Sequence, residues 1–237
     1  MSPPARIRRT PLGGFPDVLL HADEAALKRH PNYAAARGGD LAAARSLVRD
    51  TLDVVQVAVL QRLARGQPPT LVAVHGPRSR NVIAQALAAE LGQRLGWPVD
   101  SAIVQANAVA HDGADGFGRL ARPARFDGPV QVGRDYVLVD DMVGMGGTLA
   151  NLRGHIEGRG GWVLAAVALS GRPQSARLAQ AAATLAELRE RHGEALEAWW
   201  HERHGHGFDA LTESEARFLV RTPTADVVRE RLAAAEG

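Results

Sequence analysis

Cysteine is absent from the 237 residues, so neither disulfides nor thiolate chemistry is open to the chain. That absence makes a cytoplasmic protein the expectation. Lysine is almost absent as well: Lys28 stands alone, and arginine carries the rest of the basic charge. The formal balance is only +2, and no basic run interleaves with aromatics, so no nucleic-acid partner is expected. No apolar run approaches the ~20 residues of a membrane span, so no membrane partner is expected either. The basic, proline-bearing segment at 1–10 lacks the apolar stretch of a signal peptide. The sequence also has no Gly-x-x-x-x-Gly-Lys-Ser/Thr phosphate loop, which argues against the nucleotide-binding proteins built on that loop. No internal repeat or low-complexity linker divides it, so one domain over 1–237 is expected.

The stretch from Tyr136 to Thr148 organises the rest. Tyr136-Val137-Leu138-Val139 is apolar, rich in β-branched residues and too short for a helix, which predicts a buried parallel strand. Asp140 and Asp141 follow as adjacent carboxylates, then glycines at 144, 146 and 147. From Thr148 the pattern turns helical, with Leu149, Leu152 and Ile156 on one face. A strand, a glycine-rich turn and a helix N-terminus together form an anion cradle, because free amides and the helix dipole face the ligand. The acid pair sits at the carboxyl end of its strand, where open α/β sheets bind ligands. There it suits ribose hydroxyls or a hydrated Mg2+ ion. A glycine pattern by itself is also compatible with an ordinary turn flanked by solvated acids.

This stretch resembles the ribose-phosphate signature of the type I phosphoribosyltransferases: apolar strand, two acids, two apolar residues, then a small-residue loop ending in Gly-x-Thr. The resemblance covers mainly residues 70–170. It implies an α/β fold, a Rossmann-like, mainly parallel twisted sheet flanked by helices. The core would span about 66–171, with a hood built from the terminal segments at about 1–65 and 172–237. It further implies that Asp140 and Asp141 take the ribose, directly and through Mg2+ by way of substrate or water. Gly144, Met145, Gly146, Gly147 and Thr148 would take the 5-phosphate. Two positions depart from the pattern. Gly144 supplies no carboxylate where purine-salvage members carry their proposed base, and Met145 supplies no hydroxyl to the phosphate.

Elsewhere the chain reads as follows. Val18-Leu19-Leu20 suggests a short strand. Asp40 caps a predicted helix running to about residue 65, and Thr70–His75 is a second buried strand. It leads into Gly76-Pro77-Arg78-Ser79-Arg80 and a helix from Asn81 to about Leu95. By its place that loop resembles the family's pyrophosphate loop, and Arg forks bind phosphate oxygens in pairs. Residues 105–133 read as a long loop, where the family has a mobile catalytic segment. Arg119, Arg122 or Arg125 would there neutralise the leaving group. Residues 161–169 form a further strand, and a helix is expected from Pro173 to about His192. Thr212 and Glu215 read as a capping box. His201, His204 and His206, beside Trp199 and Trp200, lack a zinc-site spacing, which favours packing or pocket roles.

The implied activity is Mg2+-dependent transfer of ribose 5-phosphate from phosphoribosyl pyrophosphate to a nitrogen base, with release of diphosphate. The Gly144 and Met145 departures keep a second reading open, a phosphoribosyl pyrophosphate or nucleotide sensor without turnover. The acceptor is not legible, and a homodimer is left open.

Overall fold

The computed structural model describes residues 7–64, 66–76, 79–107 and 116–236. The first half contains β1 (Leu19–Ala22), α1 (Glu24–Arg29), α2 (Tyr33–Arg37), α3 (Leu41–Thr51), α4 (Val54–Leu63), β2 (Thr70–Ala73), α5 (Ile83–Leu95) and β3 (Val99–Asp100). Then come β4 (Val104–Gln105), α6 (Gly116–Ala121), β5 (Phe126–Asp127), β6 (Asp135–Val143), α7 (Gly147–Glu157) and β7 (Trp162–Gly171). The chain finishes with α8 (Pro173–Ala176), α9 (Ala182–His204), a short 3-10 turn, α10 (Glu213–Val220) and α11 (Ala225–Glu236).

Five strands form one parallel sheet in the order β1-β7-β6-β2-β3. Its central strands are buried on both faces, as their unbroken apolar runs require. This is the Rossmann-like, helix-flanked sheet expected of the sequence. The edge strand β1 comes from the N-terminal flank, pairing Leu19 with Val167 and Ala22 with Ser170.

Apolar side chains gather in three clusters. One, holding Leu47, Leu60, Leu87 and Leu91 with Val137 and Val139, covers one face of the sheet with α3, α4 and α5. The second, holding Leu12, Phe15, Leu149, Leu152 and Ile156 with Leu138, covers the other face with α7 and the segment before β1. The third joins α6 to α9, α10 and α11 through Phe117, Leu188, Trp200 and Leu219. Helices α5 and α7, which follow β2 and β6, therefore lie on opposite faces. That divergence opens a crevice at the carboxyl ends of two adjacent strands.

The single helix expected from Asp40 to residue 65 is two. Asp40 caps α3, accepting from Ala43 N at 3.0 Å, but Leu52 turns extended. Asp53 then caps α4, its carboxylate accepting from Val55 N at 2.7 Å. An Asp that satisfies a nearby amide competes with the helix ladder, and the apolar periodicity runs on regardless. The segment predicted as loop from 105 to 133 holds β4 and β5, paired antiparallel, and α6 between them. Helix α6 is fixed from outside: Phe117 meets Phe218 edge-on at 4.8 Å between centroids. The helix expected from Pro173 to His192 is divided into α8 and α9, and α9 kinks at Gly193, where φ is 71°.

Candidate functional site

A cleft of about 1630 Å³ lies over the carboxyl ends of β2, β6 and β7. Its floor is the acid pair. Asp140 is buried at the end of β6, and Asp141 is half-exposed. The amide of Asp141 donates to Asp140 Oδ1 at 2.8 Å, which orients the first carboxyl. Burial, and then the neighbouring Asp141 carboxylate, pushes the Asp140 carboxyl well above the ordinary range. Two adjacent acids thus differ in character: Asp140 favours keeping a proton, and Asp141 faces the cleft.

The phosphate-type loop runs from Gly144 to Thr148 beside the acids and opens α7. Gly146 is the N-cap at φ 81°, a left-handed conformation, and a Cβ there would strike Leu178. Gly147 has no room for a side chain either, because Arg9 and Glu215 lie against it. Gly144 faces outward, and a Cβ there would come within 2.6 Å of Arg119 Nη1. Met145 lines the cleft beside Gly144, with its side chain packed on the third apolar cluster and its carbonyl accepting from Thr212.

On the opposite side the loop after β2 contributes Gly76, Ser79 and Arg80, while Pro77 and Arg78 lie outside the described residues. Ser79 and Arg80 are exposed. Asn81 joins the two loops. Its Nδ2 donates to Asp141 Oδ2 at 2.5 Å, and its Oδ1 accepts from Ile83 N at 3.1 Å. Of the three arginines in the 105–133 segment, the cleft wall includes Arg119. Arg122 is exposed, and the Arg125 backbone is tied into the β4–β5 ribbon through Asn107 and Ala106.

Several wall residues carried no local sequence signal. Lys28 and Arg37 arrive from α1 and α2, Arg172 from the end of β7, and Arg9 from the proline-bearing N-terminal segment. Asn81 showed only as a helix start. With Arg80, Arg119 and Arg221, seven basic side chains line the cleft against four carboxylates among the described residues. That excess suits an anionic ligand.

The two carboxylates fit a magnesium ion shared with a ligand, since Mg2+ is held by one or two carboxylates plus phosphate oxygens and water. Among the described residues no group of three or more His, Asp or Glu forms a self-sufficient metal site. Of the three histidines near the C-terminus, His201 is exposed, His204 half-buried and His206 buried. His204 lies 4.1 Å from the Trp200 ring, and burial lowers the imidazoles of His204 and His206 to about 3.

No protein-family model matches the chain. It is 40% identical over 237 residues to Protein TraN of Escherichia coli, covering 99% of this chain and 53% of that protein. It is 35% identical over 144 residues to an uncharacterized protein of Haemophilus influenzae, covering 60% of this chain and 32% of that one. The chain thus spans about half, and about a third, of these relatives' lengths. Among solved structures, UMP synthase of Leishmania donovani aligns over 76% of this chain and 33% of its own, at 17% identity and a TM-score of 0.36. A purine phosphoribosyltransferase of Pyrococcus horikoshii Ot3 aligns over 67% of this chain and 82% of its own, at 16% identity and a TM-score of 0.31.

Proposed function

We propose that the cleft binds phosphoribosyl pyrophosphate and transfers its ribose 5-phosphate to a nitrogen base, releasing diphosphate. The observation that carries this reading is the acid pair joined to the glycine loop at the crevice between β2 and β6, in a cleft with excess positive charge.

The 5-phosphate sits on the loop amides from Gly144 to Thr148, at the N-terminus of α7. The ribose lies over Asp140 and Asp141. The paired carboxyls, one buried and one facing the cleft, offer hydrogen-bonding oxygens to the two ring hydroxyls. Arg80 draws the diphosphate, and Arg119, next to Gly144, adds a second cation at the mouth. When the C–O bond to the leaving diphosphate breaks, positive charge grows on the ribose and negative charge on the diphosphate. Asp141 stabilises the first and the arginines the second, so positioning and electrostatics supply most of the effect. Magnesium, when bound, would neutralise diphosphate charge, and Asp140 and Asp141 are the residues that would hold it, directly or through water.

A second reading is favoured by one observation. Met145 packs on an apolar cluster and Gly144 has no side chain, so position 145 offers no hydroxyl and position 144 no general base. A sensor that binds phosphoribosyl pyrophosphate without turnover needs neither.

Titration calorimetry with phosphoribosyl pyrophosphate and Mg2+ tests the common part. The unaltered protein should bind, and Asp140→Asn with Asp141→Asn should weaken binding at least about a hundredfold, the loss of two contacts to charged groups. The melting temperature should hold or rise, because a buried titratable carboxyl is removed while its oxygen still accepts from residue 141. Unchanged affinity in the double variant rejects the assignment. Diphosphate release with a panel of bases then separates transferase from sensor.

A further inference from the structure

An anion-binding loop works only if its amides face the ligand, and here residues from both ends of the chain turn them. Thr212 Oγ1 donates to the Met145 carbonyl at 2.6 Å, and Arg9 Nη2 donates to the Gly147 carbonyl at 3.3 Å. In a planar trans peptide the N–H points opposite to the C=O. Holding those two carbonyls therefore aims the amides of Gly146 and Thr148 away from Thr212 and Arg9.

The two braces are locked to each other. Glu215 Oε2 accepts from Arg9 Nη1 at 2.6 Å and from Thr212 N at 3.0 Å, and Glu215 Oε1 accepts from Arg9 Nη2 at 3.0 Å. The Thr212 hydroxyl accepts from Glu215 N at 3.1 Å with the oxygen that donates to Met145. Arg9 Nε is held by Asn151 Oδ1 at 2.5 Å, one turn into α7. The Arg9 and Glu215 side chains are only 5% and 4% exposed. A buried pair this completely hydrogen-bonded fixes geometry, because a displaced partner leaves an uncompensated charge. The absence of a side chain at Gly147 lets the pair reach the backbone.

We infer that Arg9, Thr212 and Glu215 are positioning residues that hold the phosphate loop in its anion-binding form. Affinity for the sugar phosphate then depends on the docking of the N-terminal segment and of α10. This rests on the phosphate reading of the loop given above. Among the described residues, none of the loop after β2 takes part in the brace, so the effect is confined to one end of the ligand.

The test is titration calorimetry of the full chain with ribose 5-phosphate and, separately, with diphosphate. Thr212→Val removes the donor to Met145 and should weaken ribose 5-phosphate about tenfold, with diphosphate within about twofold. Thr212→Ser keeps the hydroxyl and should restore binding. Arg9→Lys keeps the charge opposite Glu215 but loses the fork to Gly147 and Asn151, and should act like Thr212→Val. It provides the same test if the valine variant does not fold. Unchanged ribose 5-phosphate affinity in the folded variants, or equal weakening of both ligands, overturns the inference. Failure of the unaltered protein to bind ribose 5-phosphate overturns the phosphate reading itself, and the inference with it.

Discussion

The two loops that face each other across the cleft are built on opposite plans. The loop after β6 is held from beneath, with the carbonyls of Met145 and Gly147 engaged by residues from the two chain ends and Met145 packed into an apolar cluster. The loop after β2 carries its exposed Ser79 and Arg80 on a short turn. Ser79 N bonds the Gly76 carbonyl at 2.9 Å, and Asn81 makes a bond across to Asp141. The first presents fixed backbone dipoles, and the second presents exposed charge. Preorganised dipoles act by shape, whereas an exposed guanidinium acts by attraction that salt weakens.

The largest effect that would break this contrast is on the diphosphate side. Arg78→Ala with Arg80→Ala should weaken diphosphate at least about tenfold, at about 1.5–3 kcal/mol for each charge-assisted contact, and leave ribose 5-phosphate nearly unchanged. Calorimetry at low and high salt should show diphosphate losing affinity with ionic strength more steeply than ribose 5-phosphate. Parallel losses for both ligands would mean that the loops do not divide the work.

Acid should loosen the braced side. His204 and His206 are held neutral by burial, and the positive charge of Arg9 contributes at both; His21, within β1, is lowered to about 4, again chiefly by burial. These folded pKa values lie below the unfolded value of about 6.5, so the unfolded chain binds more protons between the two. Stability is therefore complete above about pH 6.5 and falls as pH drops toward the folded values. Thermal melts of the Asp140→Asn variant, which lacks the raised carboxyl that opposes this trend, should show a steady decline from pH 7 to pH 4.5, and hydrogen exchange should quicken at 144–148 before it does at 79–81. A flat melting profile over that range would contradict the burial of these imidazoles.

The smallest effect separates packing from recognition at one residue. Met145→Thr should cost about 1 kcal/mol of stability, since a thioether that fills a gap is replaced by a shorter polar group. Ribose 5-phosphate affinity should not improve. A melt and a titration on one sample decide it, and tighter binding without loss of stability would place the side chain at the ligand.

Much of the site was legible because its signals are local. The strand into Asp140 and Asp141, the glycine loop and the helix after it are contiguous, so one stretch of sequence held both the chemistry and its frame. The capping box was readable for the same reason, as Thr212 and Glu215 stand three residues apart and make both reciprocal bonds. Helix boundaries were less so. Apolar periodicity continues through Leu52 and Asp53, and only the cap at Asp53, whose amide is also held by His21 32 residues away, marks the break. Helix α6 stayed hidden because two apolar residues among glycines make a helix only when Phe218 and the C-terminal helices cover them.

The sequence by itself determined that a buried strand ends in two acids and a phosphate-type turn, because those features depend on neighbours within a few residues. Tertiary structure alone decided what surrounds them. It brought Lys28, Arg37 and Arg172 to the cleft wall and packed Met145 on the third apolar cluster. It also set Arg9 beneath a loop nearly 140 residues away and paired it with Glu215, 206 residues distant. A salt bridge of that span leaves no periodicity or spacing in the chain. It exists because the N-terminal segment carries Arg9 to Asn151 of α7 and Glu215 of α10, where cation and carboxylate satisfy each other once water is excluded.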